Sequence, residues 1–365
     1  MSASPLFLPF THKSLSLQNR IVMAPMTRSQ SPEGIPTEEV AAYYRRRAEG
    51  GVGLIITEGT TVNRPGASND PNIPNFYASE SLNGWRRVVQ EVHAAGGKIA
   101  PQLWHMGMVR KPGTGPHPNG PSDGPSGLSG SGKPVAAPMT DADIADTIAA
   151  FADAAEKAKE IGFDAVELHG AHGYLIDQFF WENANRRTDD FGGDLLKRTR
   201  FASEIVQAVR RRVGADFAII LRFSQWKQQD YSAKLASSAS ELSAFLESLT
   251  AAGVDIFHCS TRRFWEPEFD GSSLNLAGWT KKISGKPTIT VGSVGLKGND
   301  FTHAFKGESA EVGELGELEK RLRQGEFDLV AVGRALITDP HWPAKVRDGR
   351  FSDLAPFSAD SLATL

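Results

Sequence analysis

The chain has 365 residues, 40% of them hydrophobic, and a formal net charge of −3 at pH 7. That length suits a large α/β domain with a sizeable core, and the near-neutral balance gives no reason to expect nucleic acid or an anionic membrane as partner. Its single cysteine, Cys259, excludes disulfides within the chain, Cys-ligated zinc and iron–sulfur clusters.

No apolar run approaches the roughly 20 residues that cross a bilayer. The first short one, Leu6-Phe7-Leu8-Pro9-Phe10, is too brief and too broken by proline for a signal peptide. A soluble, cytoplasmic protein is expected. Strand-like runs then come at 21–24, 53–57, 99–103, 165–169, 217–223, 256–259, 287–291 and 329–332. Helical patterns fall between them, over 82–95, 195–213, 238–252 and 314–323. This alternation points to repeated βα units and a parallel sheet. About eight strands is the number that closes a (β/α)8 TIM barrel. No composition shift marks a second domain, so residues 1–365 are read as one.

Residues 111–138 interrupt the rhythm with a Gly-, Pro- and Ser-rich stretch that follows the third strand. A loop of that length on the carboxyl-end face is expected to act as a lid. The next helix is the clearest in the chain. Thr140 and Asp143 form a capping box, Ile144, Ile148, Phe151, Ala155, Ala158 and Ile161 repeat at helical spacing, and Gly162 stands at the stop.

The fourth strand leads into His169-Gly170-Ala171-His172-Gly173-Tyr174, two imidazoles and a phenol within six residues. Strand carboxyl ends are where α/β proteins place ligands and chemistry. Two neutral imidazoles can hydrogen-bond one substrate oxygen, and a phenol can hand over a proton. The combination suits polarisation of a carbonyl with protonation of the neighbouring carbon. A metal would need a third ligand, and no His-Glu-x-x-His motif or cysteine group supplies one, so no metal is expected. The run 185–193, with its Asn, charged pair and Gly-Gly bend, reads as structural.

Several landmarks together resemble the old yellow enzymes, the FMN-dependent ene-reductases. They are Asn19-Arg20-Ile21-Val22-Met23-Ala24-Pro25-Met26-Thr27-Arg28, Thr57-Glu58-Gly59-Thr60, Gln102-Leu103-Trp104, the 169–179 stretch, 185–193 and 328–340, in this order over nearly the whole chain. The resemblance implies a TIM barrel holding non-covalent FMN at its mouth, reduced by NADPH or NADH in a ping-pong cycle. Hydride then passes from flavin N5 to the β-carbon of an activated alkene. By position, Thr27 resembles the hydroxyl that tunes the flavin, and Pro25, Met26, Gly59 and Gln102 resemble flavin contacts. His169 and His172 resemble the pair that grips the substrate carbonyl or nitro oxygen, Tyr174 the proton donor, and Trp104 the aromatic that shapes the substrate pocket. Arg222 resembles the arginine beside flavin N1 and O2. Gly292, Ser293, Gly333 and Arg334 resemble the phosphate site.

Each assignment has a physical reason beside it. A guanidinium stays charged and suits the anionic edge of a reduced flavin. Loops after the seventh and eighth barrel strands commonly bind phosphate, and glycine permits close backbone approach. Phe264 and Trp265, after the sixth strand, are further candidates to roof the substrate pocket. The chain mixes the branches of the family, with Thr27 where one branch has Cys and His172 where many members have Asn. A monomer or homodimer is expected. A flavin-free phosphate-binding lyase or isomerase would instead require a Schiff-base lysine or paired carboxylates at strand ends, and neither stands out. A catalytically idle flavin-binding protein would lack the donor that Tyr174 offers.

Overall fold

Among the described residues, 4–298 and 306–365 of a computed structural model, eight parallel strands close on themselves. They are β1 (Ile21–Met23), β2 (Leu54–Thr61), β3 (Lys98–Trp104), β4 (Ala165–His172), β5 (Ala218–Lys227), β6 (Ile256–Ser260), β7 (Thr288–Val291) and β8 (Leu329–Val332). They neighbour one another in chain order, and β8 pairs with β1 to complete the ring. The expected TIM barrel is therefore present. Alternate residues such as Leu54 and Ile56, Ala218 and Ile220, and Leu329 and Ala331 fill its interior. Leu15 and Leu17, from an antiparallel hairpin (Phe10–His12 with Leu15–Leu17), join that inner cluster and close the amino-terminal end. The other face of the strands packs against the helices in a second, larger cluster.

Helices α1 (Glu38–Glu49), α2 (Ser79–Ala94) and α3 (Asp141–Ile161) surround the first half of the barrel. The sequence pattern did not single out α1, whose buried face relies on Tyr43, Tyr44 and Ala48 rather than on large aliphatics. In α3 the Asp143 N–H donates to Thr140 Oγ1 (3.2 Å), the Thr140 N–H donates to Asp143 Oδ2 (2.9 Å), and Gly162 ends the helix in the left-handed region. The helix expected at 195–213 is divided at Thr199 into Leu195–Arg198 and Arg200–Val213. Among the described residues, no helix is long and apolar enough to cross a membrane.

Residues 111–138, expected as a lid, wrap around buried charge. The Arg110 guanidinium donates to the carbonyls of Thr114, His117 and Gly120 and to Ser122 Oγ. Asp123 takes a two-pronged bond from Arg64 and faces His105 Nε2 at 2.9 Å. No residue of this segment lines the large cavity described next. Its composition reflected missing periodicity, whereas the buried arginine supplies the order.

Candidate functional site

A cavity of about 440 Å³ opens at the carboxyl ends of the strands, within the usual size range of small-molecule sites. Its wall contains Pro25, Met26 and Thr27 after β1, Gly59 in β2, and Gln102 and Trp104 in β3. His169, His172 and Tyr174 follow from β4, Arg222 from β5, Gly292 and Ser293 after β7, and Gly333 and Arg334 after β8. Only two of the expected residues fall outside. Phe264 is 4% exposed and packs into the outer core, and Trp265 lies beside it at 38% exposure. The Phe264 N–H donates to the Gly292 carbonyl (3.1 Å), and its carbonyl accepts from Asn275 Nδ2. That pairing leaves Thr261 and Arg262 as the wall residues of this loop.

A sharp bend positions the His/Tyr cluster. His172 has φ +65° and Gly173 φ +80°, so two successive left-handed residues turn the chain at the end of β4. Polar partners hold the bend from every side. The His172 N–H donates to Ser224 Oγ (3.0 Å), the Gly173 N–H to Asp177 Oδ2 (2.7 Å), and Gln178 Nε2 to the Gly173 carbonyl (2.8 Å). Asp177 in turn pairs with Lys227 at 2.5 Å, both side chains wholly buried. Tyr174 therefore comes back over the cavity, its ring 5.0 Å from His169 and 5.1 Å from Trp104, edge to face. The short helix α4 (Leu175–Phe180) begins directly after it.

Burial, with the nearby Arg222 charge second, holds both His169 and His172 well below the ordinary histidine range. Both rings are thus neutral at pH 7. The Ala171 N–H donates to His169 Nδ1 (3.3 Å), which places that ring's proton on Nε2. Burial pushes the Tyr174 phenol up, so it keeps its proton, which it donates to Gln228 Oε1 at 3.4 Å. Gln102 commits its amide N–H to Glu167 Oε1 (2.8 Å), and the other Glu167 oxygen faces His258 Nδ1 at 2.6 Å.

The wall fits a planar, anionic cofactor. Arg222 is buried, and among the described residues its Nε has no partner, nor does Trp104 Nε1; buried donors of that kind suit acceptors of a bound group. Gly59 lies flat against Trp104, where a Cβ would come within 3.3 Å of the indole. Gly292 has φ +148°, and a Cβ there would meet Thr261 Oγ1 at 2.7 Å, so only glycine allows this close approach. The Glu58 carboxylate accepts from the N–H groups of Arg28 (2.8 Å) and Ser29 (3.2 Å) and so fixes the turn that carries Thr27. Burial raises Glu58 to about 7.

Several wall residues carried no signal in the sequence. Trp226 stacks on His172 with centroids 4.5 Å apart, Ser260 Oγ lies 2.8 Å from His172 Nε2, and Gln228 and Leu362 complete the rim. Leu362 comes from the tail, which Arg28 grips through the carbonyls of Ser361, Leu362 and Thr364. Residues 185–193 stay out of the cavity, as expected. Asn185 Nδ2 donates to the carbonyls of Phe179 and Phe191, and Arg187 Nη1 to those of Pro125 and Met139.

Comparison with known proteins agrees with this geometry. Residues 5–353 match the model of the NADH:flavin oxidoreductase / NADH oxidase family. The chain is 35% identical over 352 residues to the NADH oxidase of Thermoanaerobacter brockii, covering 93% of this chain but 50% of that protein. It thus spans about half the length of that relative. Against the flavin oxidoreductase hxnT of Emericella nidulans it is 33% identical over 375 residues, 94% of this chain and 91% of the relative. A structure of morphinone reductase superposes with a TM-score of 0.81 at 28% identity, covering 98% and 93% of the two chains. An old yellow enzyme from Pichia sp. AKU4542 gives 0.81 at 27%, covering 99% and 91%. The chain therefore belongs to the NADH:flavin oxidoreductase / NADH oxidase family, the old yellow enzymes, whose members are NAD(P)H-dependent flavin oxidoreductases that work with FMN.

Proposed function

We propose that this chain is an FMN-dependent ene-reductase that reduces the activated C=C bond of α,β-unsaturated carbonyl or nitro compounds at the expense of NADPH or NADH. The observation that carries the reading is one cavity in which two neutral imidazoles, a protonated phenol and a buried guanidinium with an unpartnered donor converge. Pro25, Met26, Thr27, Gly59, Gln102 and Arg222 would hold FMN, with Gly292, Ser293, Gly333 and Arg334 at its phosphate, and the cofactor would supply the hydride that reduces the β-carbon. His169, with its proton on Nε2, donates to the carbonyl or nitro oxygen, and His172 is its partner. These N–H groups polarise the alkene without placing a second cation beside Arg222. Tyr174 delivers its phenolic proton to the α-carbon, and Trp104 and Trp226 keep water from the reacting atoms.

The test is an anaerobic titration of the purified protein followed by its flavin absorbance. NADPH or NADH should bleach the yellow colour, and a stoichiometric enone, maleimide or nitroalkene should restore it. A colourless, phosphate-binding preparation, or a reduced flavin that none of these alkenes reoxidises, would overturn the proposal.

A further inference from the structure

Ser260, the last residue of β6 and 3% exposed, has no part in the chemistry above, yet it touches two of the groups that do. Its Oγ lies 2.8 Å from His172 Nε2 and accepts from Arg222 Nη2 at 3.3 Å. Its carbonyl accepts from Trp226 Nε1 (3.2 Å), and that indole stacks on the His172 ring. We propose that Ser260 is a positioning residue that sets the tautomer and orientation of His172 and ties that ring to Arg222; this rests on the reading that His172 grips the substrate oxygen.

The Ser260 hydroxyl has one proton and two polar neighbours, Arg222 Nη2 and His172 Nε2. A guanidinium only donates, so Ser260 Oγ must be the acceptor toward Arg222. The neighbouring cation draws electron density from Oγ, which makes the O–H a better donor and the oxygen a poorer second acceptor. The hydroxyl proton therefore goes to His172 Nε2, and the ring proton sits on Nδ1. His169 is set the other way by the Ala171 N–H, with its proton on Nε2. Two neighbouring imidazoles, 5.1 Å apart and nearly perpendicular, are thus fixed in opposite tautomers by different partners. Each keeps one N–H for a ligand. The Trp226 stack fixes the plane of the His172 ring, the Ser224 contact fixes its backbone, and Ser260 fixes which nitrogen donates.

Nitrogen-15 histidine NMR of the purified flavin-loaded protein reads the tautomer directly, with His172 assigned by its loss in His172→Gln. The wild type should show His172 protonated at Nδ1. Ser260→Ala should shift it to Nε2 or to a mixture and weaken phenol binding to the oxidised protein about tenfold, while Ser260→Thr, which keeps the hydroxyl, should restore both. A wild-type His172 protonated at Nε2, or a tautomer unmoved in Ser260→Ala, would overturn the proposal. Should Ser260→Ala fail to fold, the wild-type and Ser260→Thr spectra still decide. If the wild type binds no phenol, the substrate-grip reading fails, and the tautomer result separately decides the role of Ser260.

Discussion

Replacing Lys227 by Met tests how the donor loop is held. Lys227 Nζ and Asp177 Oδ1 are 2.5 Å apart and both side chains are fully buried. Without Lys227, the Asp177 carboxylate keeps one bond from the chain, the Gly173 N–H at 2.7 Å. Breaking one side of a buried pair costs about 3–5 kcal/mol, because the remaining charge is uncompensated. Burial already raises Asp177, so in the variant the carboxyl takes up a proton in the folded state while the unfolded chain still titrates near 3.9. The folded state then binds the extra proton, and stability falls as pH rises above about 4. Lys227→Met should accordingly be less destabilised at pH 5 than at pH 7. The double variant Lys227→Met/Asp177→Asn removes the orphaned charge and keeps an acceptor for Gly173. It should recover about 2 kcal/mol or more of the loss. Denaturant unfolding followed by tryptophan fluorescence reads the stabilities, and alkene turnover reads the placement of Tyr174. A single variant within about 1 kcal/mol of wild type, or a double variant no better than the single, would refute the argument.

Tyr174→Phe should slow the alkene half-reaction by about 10²–10⁴ while leaving reduction by NADPH nearly unchanged; stopped-flow flavin absorbance separates the two, and equal losses would remove Tyr174 from the donor role. Glu58 is raised to about 7 from 4.5, so folded wild type holds a proton that the unfolded chain releases. Relative to Glu58→Gln, wild type should lose about 1.4 kcal/mol of stability per pH unit between about 4.5 and 7, and parallel stability profiles for the two would contradict this. Arg28→Ala should free the tail that carries Leu362, which limited proteolysis would detect as faster cleavage after residue 357. An unchanged cleavage rate would mean that the guanidinium contacts do not hold it.

The parts of this protein legible in the sequence are those whose cause is local. Each barrel strand is a short apolar run, the Thr140 to Gly162 helix carries its own cap and stop, and His169, His172 and Tyr174 are neighbours in the chain. Ser260, Trp226 and Gln228 escaped notice because nothing beside them in sequence marks them. They reach the cluster only when β4, β5 and β6 pair, with Ser224 opposite Ser260. Residues 111–138 owe their order to contacts that composition does not show. Their composition lacks periodicity, but one buried arginine gathers their carbonyls from a position just outside the segment. Phe264 and Trp265 follow the right strand and still miss the cavity, because backbone pairing with Gly292 decides which way the loop's side chains face.

The same register accounts for the electrostatics of the site. It sets His169 opposite Arg222 and Arg222 opposite His258, so three potential cations lie side by side on adjacent strands. Repulsion and burial allow one of them to stay charged, and the guanidinium, with much the highest intrinsic pKa, is the one. Burial and the Arg222 charge accordingly leave His169, His172 and His258 neutral. Glu167, paired with Gln102 two residues before His169, meets His258 and supplies the compensating charge. Of the three potential cations Arg222 alone keeps its charge, and His169 and His172 line the cavity beside it as neutral N–H donors. A proton on His169 or His172 would be desolvated and would face the Arg222 charge, so the pH–rate profile of alkene reoxidation should show no histidine inflection near 6.5, where free imidazole titrates, and an inflection there that disappears in His172→Gln would refute this reading.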